Sequence, residues 1–322
     1  MIVILFLLMA GFVVLIKGAD IFVDGAAHLA RTLDVSPMII GLTVVAFGTS
    51  VPELFVNIAA SVGGDTDIAL GNVMGSNIAN GLLVLGISAL IRPLQIFRKT
   101  VWQAIPFSLL AAIMLWVLAN DVFVDGSFFS ILSRSDGWVL LGFFTVFMAY
   151  SAAVIAPVDG LPPVDPVPPE KAAAVALKMA FGFCGLLFGS RWIVDSAVAL
   201  ADRLGAPRVV VGLTVVALGT SLPELATSVA AARRGAAEIA VGNVVGASIF
   251  NILFVLGISA VIRPLPVTPA ANVDLAVLTA TSVLLVVFLF AGQVRVMGRR
   301  EGGLALFLYV LYTGYLVYPL FF

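Results

Sequence analysis

The stretch Gly41-Leu42-Thr43-Val44-Val45-Ala46-Phe47-Gly48-Thr49-Ser50-Val51-Pro52-Glu53-Leu54 returns 171 residues later as Gly212-Leu213-Thr214-Val215-Val216-Ala217-Leu218-Gly219-Thr220-Ser221-Leu222-Pro223-Glu224-Leu225. Without a gap, the same shift carries Gly71-Asn72-Val73 onto Gly242-Asn243-Val244, Gly75 onto Gly246 and Asn80 onto Asn251. It also superimposes Val84-Leu85-Gly86-Ile87-Ser88-Ala89 on Val255-Leu256-Gly257-Ile258-Ser259-Ala260, and Arg92-Pro93-Leu94 on Arg263-Pro264-Leu265. Chance does not produce a match of this length, so the chain is an internal duplication.

Both copies lie in strongly apolar surroundings. Of 322 residues, 61% are apolar and 11% charged, and the mean hydropathy is +1.16. Those values belong to a bilayer protein rather than a soluble domain. Apolar runs recur at about the 20 residues needed to cross the hydrocarbon core, and no barrel-type alternation is present. They predict spans at 2–17, 38–62, 68–91, 101–119, 137–156, 173–198, 209–232, 239–262, 271–292 and 303–321. The fold class expected is an all-α integral membrane protein of ten transmembrane helices. The first run has no positive n-region or small-residue cleavage site, so it is expected to be a retained span rather than a signal peptide. Trp102, Trp138, Tyr315 and Tyr318 are expected at the membrane interfaces.

The Pro-rich segment 157–171 holds Pro157, Pro162, Pro163, Pro166, Pro168 and Pro169 and cannot be helical throughout. It divides the chain into a first five-helix repeat, 1–156, and a second, 172–322. Five crossings is an odd number, so the second copy is expected to traverse the membrane in the opposite sense. Such inverted repeats hold their substrate near the midplane, where the copies meet.

Sidedness follows from the basic residues. If the N-terminus is outside, Lys17, Arg31, Arg92, Arg98, Lys99, Lys171, Lys178, Arg233, Arg234, Arg295, Arg299 and Arg300 fall on the cytoplasmic side. Only Arg134, Arg191, Arg203, Arg208 and Arg263 fall outside. The positive-inside rule therefore predicts both termini outside the cytoplasm. The net charge of −1 and the lack of a concentrated basic stretch argue against nucleic acid as a partner.

Glu53 and Glu224 fall near the middle of matched spans, where an ionisable group costs about 3 kcal/mol by insertion measurements and is expected to face the protein interior. Thr49 precedes Glu53 by four residues and shares its helix face, and Thr220 stands in the same relation to Glu224. Pro52 lacks an amide hydrogen and crowds the carbonyl of Gly48, so the helix is expected to bend and release carbonyl oxygens towards the acid. Pro223 does the same to Gly219. On the following span of each half, Asn80 and Asn251 add amide oxygens and Ser76 a hydroxyl. The donor set is all oxygen, which suits hard cations such as calcium or sodium. Two carboxylates balance one divalent ion. With Cys184 the single cysteine and His28 the single histidine, zinc, copper and iron sites are disfavoured.

Buried Thr, Ser and Asn in membrane helices also bond from helix to helix, and Thr43, Thr214, Asn72 and Asn243 are open to that reading. Asp24 and Asp195 match across the repeat, and capping or pairing with Lys17 or Arg191 is expected of them.

The paired segments Gly48-Thr49-Ser50-Val51-Pro52-Glu53 and Gly219-Thr220-Ser221-Leu222-Pro223-Glu224, each followed by a Gly-Asn-x-x-Gly segment, resemble the alpha repeats of the calcium/cation antiporter superfamily. The match spans nearly the whole chain and looks closest to the prokaryotic sodium/calcium exchangers. The resemblance implies calcium bound by Glu53, Glu224, Thr49 and Thr220. It implies sodium bound also by Ser50, Ser221, Ser76, Asn80 and the carbonyls of Ala46 and Ala217, with the first and sixth spans sliding as a gate. It implies transported calcium and sodium, no cofactor, a monomer in a bilayer, and a prokaryotic plasma membrane. The well-studied prokaryotic pattern has an aspartate where Asn251 stands and a serine where Ala247 stands. That departure bears on the number of sodium ions per cycle and on sodium selectivity.

Sodium-driven calcium antiport is the first expectation. Proton-coupled or potassium-dependent exchange is the alternative, since a buried glutamate can carry a proton. An intramembrane enzyme would need a nucleophile with a base, and the sequence offers no Ser and His pair at matched depth. A channel would show uncoupled conductance.

Overall fold

The computed structural model describes residues 2–95, 98–153, 172–203, 217–290 and 296–318. The Pro-rich linker and Thr214 therefore lie outside the described residues. Among the described residues, helices occupy at least part of each expected span. They are α1 (Ile2–Thr32), the bent pair α2 (Pro37–Thr49) and α3 (Val51–Gly63), α4 (Thr66–Ile91), α5 (Arg98–Leu118), the short α6 (Asp121–Val124) and α7 (Arg134–Ala153). The second half brings α8 (Ala172–Arg203), α9 (Ala217–Thr220), α10 (Leu222–Arg233), α11 (Ala237–Ile262), α12 (Ala271–Phe290) and α13 (Arg299–Val317). Among the described residues, six helices are long and apolar enough to cross a membrane, seven if the bent pair is one span.

The expectation of helices alone needs a small correction. Short strands β1 (Leu94–Gln95) and β4 (Val296–Met297) pair antiparallel, as do β2 (Ser130–Leu132) and β3 (Leu265–Val267). Each ladder joins one half to the other. Arg-Pro ends the preceding helix in both halves, since proline bars helical geometry at the residue before it, and the freed backbone pairs across the interface.

The first and sixth spans were placed too short. α1 runs 31 residues and α8 runs 32, about 46–48 Å at 1.5 Å per residue, so both must tilt or project beyond the hydrocarbon core. Lys17 does not stop α1, because it lines a polar cleft with Asp20, Asp24, Lys178 and Arg234. The two long helices lie antiparallel. Gly11 faces Gly189, Gly18 faces Gly185 and Gly25 faces Met179, and a Cβ at Gly18 would fall 2.8 Å from the backbone of Gly185. Small residues at this crossing let the backbones touch.

α4 and α11, the matched third helices, are antiparallel too. The turn before α4 contains Gly64, at φ +95°, beside the guanidinium of Arg263 at the end of α11. The turn before α11 contains Gly235, at φ +77°, beside Arg92 at the end of α4. Only glycine adopts these left-handed turns without strain. The last helix of each half then docks on the third helix of the other, with Gly302 of α13 against Gly86 and Gly137 of α7 against Gly257.

Candidate ion-binding site

The helix break expected at Pro52 is present, and its hinge is Ser50. α2 and α3 diverge by 45° there. Ser50 has φ −85° and ψ 3°, and Ser221 in the second half has φ −85° and ψ 2°. Proline stands at the second position of α3 and of α10, where its missing amide costs nothing. Glu53 and Glu224 thus stand in the first turn of a half-helix rather than in the middle of a continuous one. The positive end of the helix dipole meets each carboxylate, which offsets part of the cost of burying it.

Both acids are wholly buried, as are Asn80 and Asn251, while Ala46, Thr49, Ser50, Ser76 and Ser221 are buried within a few per cent. Thr220 is half-buried, and the side chain of Ala217 lies outside the described residues. Among the described residues, the carboxylate oxygens of Glu53 and Glu224 have no hydrogen-bond partner, and neither do the amide atoms of Asn80 and Asn251. The hydroxyls of Ser50, Ser76 and Ser221 are in the same condition. Orphaned oxygens at this density are costly unless a ligand engages them.

The acids are close enough to repel one another. The hydroxyls of Thr220 and Ser76 face the Glu53 carboxylate, and that of Thr49 faces Glu224. Each acid is therefore attended by the threonine of the opposite half. The carbonyl of Ala46 accepts from the amide of Ser50 at 3.0 Å and stands 3.3 Å from the Thr49 oxygen, a longer alternative for that hydroxyl's one proton than the acceptor on the opposite half.

Asn72 and Asn243, left open by the sequence, join this arrangement. The Thr49 hydroxyl donates to Asn243 Oδ1 at 3.0 Å, and the Thr220 hydroxyl donates to Asn72 Oδ1 at 3.4 Å. Behind them stand Asn57, which accepts from Asn72 at 2.7 Å, and Ser228, which accepts from Asn243 at 3.0 Å. The sequence did not single out Asn57 or Ser228. The available signal was their match at the same 171-residue shift, four residues beyond each acid and hence on its helix face. Thr43 takes the bland role and bonds within its own helix to the Ile39 carbonyl at 2.6 Å.

A π-helical turn over Ala79–Val84 contains Asn80, and its match over Phe250–Val255 contains Asn251. A π-turn leaves the regular ladder of backbone bonds and often marks functional positions in helices. No residue pattern announced it.

The acidic pairing expected of Asp24 is corrected. Asp24 pairs with Lys178 at 3.2 Å and Arg234 at 3.3 Å rather than with Lys17, because α8 and the end of α10 converge on that face of α1. Asp20 adds a contact with Arg234 at 3.6 Å. Asp195 pairs with Arg191, as expected, at 3.6 Å.

An all-oxygen site with two wholly buried carboxylates, between broken helices of a multi-pass apolar bundle, defines a membrane cation transporter. Comparison with known proteins agrees. The family described as sodium/calcium exchanger protein matches residues 3–153 and 175–318, and the chain belongs to it. It is a membrane antiporter rather than an enzyme. The putative antiporter CaxA of Alkalimonas amylolytica is 36% identical over 315 residues, covering 94% of this chain and 95% of that protein. The sodium/calcium exchanger MaX1 of Methanosarcina acetivorans is 32% identical over 345 residues, covering 97% and 98%. The solved structure of the sodium-calcium exchanger NCX_Mj soaked with sodium and calcium superposes at a TM-score of 0.82, with 34% identity over 97% of both chains.

Proposed function

We propose that this chain exchanges calcium for sodium across a prokaryotic plasma membrane by alternating access, holding the ions between Glu53 and Glu224. The observation that carries the reading is the pair of wholly buried carboxylates, each attended by a hydroxyl from the opposite half. Two adjacent buried carboxylates stay charged only with cations between them, and otherwise take up a proton. One calcium ion neutralises both. Sodium ions do so with help from hydroxyl, amide and carbonyl oxygens, for which Thr49, Thr220, Ser50, Ser221, Ser76, Asn80, Asn251 and the carbonyls of Ala46 and Ala217 are the candidates.

Competition for the same two carboxylates links the ions in antiport. Binding one species requires release of the other, and neither crosses alone if the unneutralised site resists rearrangement.

Alternating access rests on an inverted ten-helix architecture, with repeats at 1–156 and 172–322 joined by the linker 157–171. The antiparallel courses of α1 against α8 and of α4 against α11 support inversion. The glycine-lined crossing of α1 and α8 supports a pair that slides as one body. Arg92, Arg233 and Arg234 gather at one end of the bundle and Arg263 at the other, which agrees with both termini outside. The working unit of this reading is a monomer.

The test is calcium uptake into proteoliposomes under an imposed sodium gradient. Uptake that collapses with the sodium gradient, and is unmoved by a pH or potassium gradient alone, supports the reading. Uptake indifferent to sodium sinks it.

A further inference from the structure

The two threonine hydroxyls share a feature that follows from the bonds behind them. In the second half, the amide nitrogen of Asn243 donates to the carbonyl of Glu224 at 3.3 Å and to Ser228 Oγ at 3.0 Å. A carbonyl can only accept, so the Asn243 amide nitrogen must face that way. Ser228 gives its own proton to the Ala240 carbonyl at 3.4 Å, which leaves its oxygen to accept. Asn243 Oδ1 therefore points at Thr49, and an amide oxygen can only accept. Thr49 must donate.

The first half reaches the same result through different residues. Asn57 donates to the Ala69 carbonyl at 3.0 Å and to Ser259 Oγ at 3.2 Å. Ser259 has given its proton to the Val255 carbonyl at 2.8 Å. Asn57 Oδ1 is thereby the acceptor for the Asn72 amide at 2.7 Å, Asn72 Oδ1 faces Thr220, and Thr220 donates as well. Each chain of bonds ends on backbone carbonyls, so its direction cannot reverse without leaving a buried group unpaired.

We propose that Asn72 and Asn243 are positioning residues that act across the two halves, each taking the hydroxyl proton of the opposite threonine so that the threonine oxygen presents lone pairs to the ion. A hydroxyl free to rotate would turn its proton towards Glu53 or Glu224 and place a positive hydrogen where a cation must sit. With the proton spent outward, the oxygen is a ligand before the ion arrives, and reorientation costs nothing on binding. Neither asparagine touches the ion. The inference rests on the ion-site reading given above.

A double-mutant cycle on calcium uptake tests it, with the half-saturating calcium concentration as readout. Thr49→Val and Asn243→Leu are each expected to raise that concentration about tenfold, and the double variant also about tenfold rather than a hundredfold. Thr49→Ser keeps the hydroxyl, so in that background Asn243→Leu should retain its full effect. Thr220 with Asn72 should behave alike, whereas the within-half pairs, Thr49 with Asn72 and Thr220 with Asn243, should multiply. Multiplying effects in the crossed pairs, coupling confined to the within-half pairs, or no effect of Asn243→Leu and Asn72→Leu would each overturn the proposal. If Asn243→Leu fails to yield folded protein, Asn243→Ala in the same cycle and the Thr220/Asn72 cycle give the same reading. Sodium-driven uptake in the unmodified protein together with uncoupled crossed pairs would sink only this inference, whereas absent uptake would sink the transport reading itself.

Discussion

Thr49 gives its hydroxyl proton to Asn243 across 3.0 Å, although the two residues lie 194 positions apart and on opposite halves of the chain. Thr220 and Asn72 make the reciprocal contact at 3.4 Å. The proposed ion site is thus woven from both copies, and neither half holds a complete set of oriented oxygens. A single change at either acid should therefore disable the whole site rather than half of it.

Replacing one acid makes that concrete. Glu53→Gln is expected to lower sodium-driven calcium uptake by at least about a hundredfold, equivalent to ~3 kcal/mol of lost ion stabilisation. The fold should survive, since glutamine has nearly the shape of glutamate and leaves one acid fewer to bury. Thermal unfolding separates the effects. Calcium at about 100 times its dissociation constant should stabilise the unmodified protein by ~2.7 kcal/mol and leave Glu53→Gln unmoved. A calcium-dependent upward shift in the variant would place the ion elsewhere.

The glycine-lined crossing invites a different change. A Cβ at Gly18 would meet the Gly185 backbone carbon and the Leu186 amide nitrogen at 2.8 Å, so Gly18→Val should force α1 and α8 apart. Overpacking of this kind costs about 1–3 kcal/mol. Neither residue belongs to the ion site, so the maximal rate of uptake should fall while half-saturating calcium stays within about twofold. A large rise in half-saturating calcium at unchanged rate would show that these helices shape the site and do not move past it.

Much of this architecture was legible because the duplication is so faithful. One 171-residue shift located both acids, both threonines, both Pro hinges and the third helices of each half. The length of α1 was not legible, because a lysine in an apolar run reads as the end of a span, whereas Lys17 lines a cleft that only the approach of α8 and α10 creates. The π-turns at Asn80 and Asn251 are a change of backbone hydrogen-bond register inside an otherwise regular apolar helix, which leaves no residue signature. The partners of Asn72 and Asn243 were hidden for a topological reason. They come from the opposite half, and periodicity along one helix cannot report them.

The two halves match at the site but differ at the charged cleft. Arg234 ties the end of α10 to Asp20 and Asp24 on α1, while the position matched to Arg234 is Gly63, and Asp195 pairs within its own helix. Among the described residues this tie exists at one end of the bundle, so it should favour whichever access state keeps it closed. Pairs as exposed as these contribute about 0.2–1 kcal/mol each. Arg234→Gln should therefore shift the ratio of half-saturating calcium on the two membrane faces by roughly two- to fivefold, less at high salt. Asp195→Asn should leave that ratio unchanged. Equal shifts from both variants would remove the one-sided reading.

Asn251 offers the sharpest test of how many charges the site can hold. Its amide is wholly buried, without a hydrogen-bond partner among the described residues, in a π-turn on α11, where the related prokaryotic pattern has an aspartate. If Asn251 lines the ion site, Asn251→Asp adds a third negative charge that cations can neutralise. Half-saturating calcium should then fall, and uptake should depend more steeply on sodium. If Asn251 lies outside the reach of the ions, the same change buries an unpaired carboxylate and costs about 3–5 kcal/mol of stability with no gain in affinity. Calcium-dependent unfolding and the sodium dependence of uptake, measured on this one variant, separate the outcomes, because only a residue in contact with the ions can turn a buried charge into tighter binding.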